Sequence, residues 1–63
     1  MKNRDMERVF TRLVNVLIRI EKKGMYLVDA CVEVSMEYRL STRETRLLLD
    51  LTQRHYDLKI AKL

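Results

Sequence analysis

What this 63-residue chain lacks narrows it quickly. It has no proline, no tryptophan, one glycine and one cysteine. With only Gly24 to punctuate it, the backbone is set for long helices joined by short connections. Cys31 has no second cysteine with which to form a disulfide. His55 is the only other soft ligand, so a closed zinc site, which needs four, cannot be assembled and no cofactor is expected. The aromatics are Phe10, Tyr26, Tyr38 and Tyr56, too few for reading single-stranded nucleic acid by stacking. No apolar run is long enough to span a bilayer, so no membrane partner is expected. There is no phosphate-cradling glycine loop and no internal repeat. The lone cysteine and the lack of a leader segment point to a cytoplasmic setting, the host cytoplasm for a phage-encoded chain.

A chain this short is expected to form one domain, residues 1–63. It buries only roughly 60% of the surface its unfolded form exposes, so its stability is marginal. With a disulfide and a metal excluded, self-association or docking on a partner is expected to help hold it. A hydrophobic content of 48% exceeds what a monomer of this length can hide. The net charge of +4 is unevenly spread. Residues 1–24 carry +4, residues 25–40 carry −2 and residues 41–63 carry +2. That layout suits contact with nucleic acid or an acidic protein surface through the ends of the chain. The plain alternative is a set of ordinary solvated faces.

Hydrophobic spacing predicts an all-α, three-helix domain with helices near residues 5–23, 26–38 and 42–62. In the first, Met6, Val9, Phe10, Leu13, Leu17 and Ile20 recur at steps of three and four. Val14, Val16 and Ile18 widen this apolar face. Asn3 or Asp5 is available as its cap, and Gly24 ends it. The middle segment is ambiguous. Leu27, Ala30, Cys31, Val34 and Tyr38 fit a helix, whereas Val32, Val34, Met36, Tyr38 and Leu40 alternate as in a strand. The helix is favoured, because a lone strand leaves its backbone unpaired unless a second chain supplies an edge. Ser41-Thr42-Arg43-Glu44 has the form of a capping box. After it, Leu47, Leu48, Leu51, His55 and Leu58 share one face, and Leu49, Tyr56, Ile60 and Leu63 a shorter one.

No catalytic group assembles from these residues. His55 has no nucleophile or carboxylate at a useful spacing and reads as a packing or rim histidine. Cys31 has no basic neighbour to ionise it and reads as a small core residue. Binding is better signalled. Arg4, Arg8, Arg12, Arg19 and Lys23 form a stripe along the first helix. Like charges at this spacing repel slightly, which something anionic would relieve. Arg39, Thr42, Arg43 and Arg46 surround the start of the last helix. With the tight turn before it, this suggests a helix-turn-helix whose second helix offers Arg43 and Arg46 to duplex DNA, acting as a dimer.

Residues 25–48 also carry a resemblance. Met25-Tyr26-Leu27-Val28-Asp29-Ala30, a helix with Met36-Glu37, then Leu40 and Glu44, is similar to the core of the late-transcription coactivators of T4-type phages. The resemblance implies a helical body that binds the flap region of host RNA polymerase and couples it to a sliding clamp. Those proteins tend to be acidic and to end in an apolar–acidic tail for the clamp. This chain is basic and has Lys59-Ile60-Ala61-Lys62-Leu63 there, which implies polymerase binding without clamp coupling. Tyr38-Arg39-Leu40-Ser41 with Glu44 also resembles the corresponding stretch of the Hha/YmoA nucleoid modulators, mostly through the capping box. The leading expectation is a non-enzymatic protein that docks on RNA polymerase or another transcription protein through Phe10, Leu13, Leu17, Leu48 and Leu51. The competing expectations are the DNA-binding dimer and a self-associating helical subunit, strand-swapped if residues 32–40 are extended.

Overall fold

A computed structural model describes residues 4–61, with side chains over 6–60. Three helices make the fold: α1 (Arg4–Lys23), α2 (Leu27–Glu37) and α3 (Thr42–Ala61). Each touches both of the others. The expected three-helix, all-α domain is what the chain forms, and the helix bounds lie within a residue of those read from the pattern. Asn3 and Leu63 lie outside the described residues.

Each helix end has a local cause. Gly24 stops α1 at φ +70, the left-handed conformation that glycine adopts without steric cost. Residues 32–37 continue α2, so the extended alternative and the strand-swapped dimer built on it do not hold. Two backbone bonds close α2: Tyr38 N–H donates to Val34 O at 3.0 Å, and Leu40 N–H donates to Ser35 O at 2.9 Å. The second bond holds Arg39 at φ 55, a position that usually belongs to glycine. The capping box forms as read: Glu44 N–H donates to Ser41 Oγ at 3.1 Å, and Ser41 N–H donates to Glu44 Oε1 at 2.8 Å.

Side-chain ties set the helix directions. Arg8 meets Glu44 at one end, and Tyr56 meets Glu21 at the other, so α1 and α3 run the same way. Arg12 lies on Tyr38 while Arg19 reaches back to Glu33, so α2 runs against α1.

The buried residues differ in register from those expected. The core is Val9, Val16, Ala30, Cys31, Val34 and Leu48. On α1 the inward line is Val9, Leu13, Val16 and Ile20, with Val9 and Val16 fully buried and Leu13 and Ile20 half-buried. Val16, expected off the main stripe, is fully buried, while Phe10, expected on it, faces out. On α3 the buried line is Glu44, Leu48 and Thr52, in steps of four. Thr52 behaves as a core residue because its hydroxyl is satisfied, donating to Leu48 O at 2.7 Å. Cys31 Sγ donates to Thr52 Oγ1 at 3.6 Å, and burial pushes the thiol's pKa up. This small-residue core leaves larger apolar groups, among them Phe10, Met36, Leu58 and Ile60, on the surface.

Tyr56 fastens the far end of α3 to α1 by donating its hydroxyl to Glu21 Oε2. Burial, then Glu21, pushes its pKa up to about 12. An unfolded tyrosine ionises near pH ~10. The folded state therefore holds the proton longer, and this stabilisation is present below pH ~10 and lost as pH rises toward 12. Tyr56→Phe is expected to flatten that part of the stability–pH curve, measured by urea unfolding at stepped alkaline pH.

Candidate docking surface

The basic stripe of α1 is largely spent inside the molecule. Arg8 Nη1 lies 3.1 Å from Glu44 Oε2. The Arg12 guanidinium stacks 3.8 Å above the Tyr38 ring. Arg19 Nε donates to Glu33 Oε1 at 2.6 Å, and its Nη2 pairs with Glu37. The bond to Glu33, opposed in part by desolvation and aided by the charge of Glu37, holds the Arg19 pKa above its ordinary value. The anions that relieve the stripe are thus supplied by α2 and α3. Lys23 is exposed, and the side chain of Arg4 lies outside those described.

The second basic group stands differently. Arg39, Arg43 and Arg46 are exposed and have no carboxylate partner among the described residues. They gather at the turn before α3 and on its first two turns. Asp50, paired with Arg54 at 3.2 Å, shares their outer surface.

The expected protein-facing set divides. Leu48 is fully buried and cannot meet a partner, which corrects its assignment: it fills the centre of the bundle. Leu13 and Leu51 are half-buried and pack against that core. Phe10 is 52% exposed, and Leu17 is half-buried. Phe10 continues into Val14, 59% exposed, and Ile18, 44% exposed, in steps of four along the outside of α1. From spacing alone, Val14 and Ile18 only widen the apolar face. A second outer stripe on α2, Val28, Val32 and Met36, went unread. Its spacing of four is present in the sequence, overlaid at Val32 and Met36 by the strand-like alternation.

No group of three potential metal ligands gathers among the described residues. None of their helices is long and apolar enough to cross a membrane. His55 is exposed, with its ring edge-on to Tyr56. No family model, curated protein or solved structure matches the chain.

Proposed function

We propose that this chain is a non-enzymatic binding protein that docks on RNA polymerase or a transcription complex through the outer face of α1 and modulates it. The observation that carries docking is the uncovered line of Phe10, Val14 and Ile18, each close to half exposed. Monomers tend to keep contiguous apolar surface for an interface. Covering what remains exposed of each side chain is worth about 1 kcal/mol, so the three anchor a partner without holding the fold together. The choice of a transcription partner rests on the resemblance carried by residues 25–48. Gel filtration of the chain with purified bacterial RNA polymerase tests it: co-elution is expected, and separate elution at micromolar concentrations contradicts it.

A second reading, duplex DNA binding by the α2–α3 unit, is favoured by Arg39, Arg43 and Arg46, which have no carboxylate partner among the described residues. Asp50 on the same outer surface weighs against it. Contact of these arginines with phosphates predicts a log–log salt dependence with a slope of roughly −3. Salt-insensitive or absent binding to a duplex rules it out.

A further inference from the structure

We propose that the groove between α2 and the start of α3 binds an acidic, amphipathic helical segment of a partner protein. This surface is separate from the outer face of α1, and the proposal stands without it.

The groove is open to solvent and offers about 410 Å³, within the range of ordinary ligand pockets. Val32, Met36 and Leu40 give it an apolar lining, and Met36 is 74% exposed. Beyond the groove, exposed Val28 lies one turn further along α2 from Val32 and extends the apolar strip to about 12 Å, some two helical turns. A docked helix with apolar residues at steps of three and four matches that length. Ser35 lines the same groove. It is 7% exposed, and its Oγ has no hydrogen-bond partner.

The groove's charge selects the occupant. Arg39 and Arg46 line it, and neither has a carboxylate partner among the described residues, whereas the described arginines of α1 are all engaged within the bundle. Arg39 also occupies a left-handed backbone position where glycine would be relaxed. The arginine there combines backbone strain with a guanidinium beside the apolar strip. Duplex DNA fits less well, because phosphates offer nothing to cover Val32, Met36 and Leu40. A second copy of this chain fits less well too, because its net charge of +4 repels a basic groove.

The test uses the full chain and a labelled synthetic peptide carrying leucines at steps of three and four flanked by glutamates. A control peptide has the same composition with its apolar face scrambled. Anisotropy should show binding of the first peptide only, weakening as salt rises. Met36→Asp, at an exposed site, should lower affinity about tenfold or more while circular dichroism stays unchanged. Arg39→Gly should move two readouts in opposite directions: weaker peptide binding and a higher urea midpoint. Equal binding of the scrambled peptide, no binding of either, or full affinity in Arg39→Gly overturns the proposal. So does duplex binding, or self-association measured by sedimentation, that Met36→Asp abolishes while the peptide fails to bind.

Discussion

Leu48→Ala is expected to lower folding stability by about 3 kcal/mol, enough to leave much of the chain unfolded at room temperature. Large-to-small changes at fully buried leucines cost about 2–5 kcal/mol, the lost transfer energy plus that of the cavity left behind. A domain of this size rarely has more than about 3–5 kcal/mol in hand. Leu48 is the largest fully buried side chain, and it sits among Val9, Val16, Cys31 and Val34, which are too short to close over the space. Urea unfolding followed by circular dichroism should show the midpoint falling toward zero denaturant. An unchanged midpoint would mean that Leu48 faces outward, as the expected docking face of Phe10, Leu13, Leu17, Leu48 and Leu51 has it.

Arg8→Ala is expected to cost about 2 kcal/mol, although Arg8 lies on the surface. The reason is its partner. The side chain of Glu44 is 4% exposed, and Arg8 is the described cation that faces it, as an ion pair at 3.1 Å that is not aligned as a hydrogen bond to Oε2. Removing one member of a buried pair leaves the other charged and desolvated, a penalty of about 3–5 kcal/mol when both are buried. Arg8 is half exposed, so part of that interaction is already screened by water and the figure is reduced. Glu44 keeps its bond from Ser41 N–H, which also limits the loss. Arg43→Ala and Arg46→Ala remove no such partner and are expected to change stability by less than about 0.5 kcal/mol. The same urea midpoints separate them. Equal, small losses for all three would return Arg8 to a free basic face.

Much of the fold was legible in particular residues. Gly24, the Ser41–Glu44 capping box and the small Cys31 each carry a local rule, and each does in the structure what its chemistry implies. The register of α1 was not legible. Val9, Leu13, Val16 and Ile20 share a helical spacing with Phe10, Val14 and Ile18, and period alone cannot say which line turns inward. The neighbours decide. Ala30 and Cys31 on α2 are small enough to bring the helices close, and that tight space takes valines rather than phenylalanine. Thr52 was missed because a hydroxyl reads as polar until its bond to Leu48 O is seen. The basic stripe misled for a similar reason. Its anions, Glu33, Glu37 and Glu44, lie far along the chain on other helices, beyond any spacing rule for one helix. The excess of apolar residues over what a small monomer can hide was legible from composition, and it is now located: Phe10, Val14 and Ile18 on α1, and Val28, Val32 and Met36 on α2.

The outer face of α1, with Phe10 and Val14 more than half exposed, is proposed as a binding surface and not as part of the core. The double variant Phe10→Asp with Val14→Asp tests it most directly, compared with the unaltered chain in urea unfolding and in co-elution with RNA polymerase. An unfolding free energy within about 1 kcal/mol of the original is expected, as for exposed positions, together with loss of co-elution. Retained co-elution, or collapse of the fold, would contradict it.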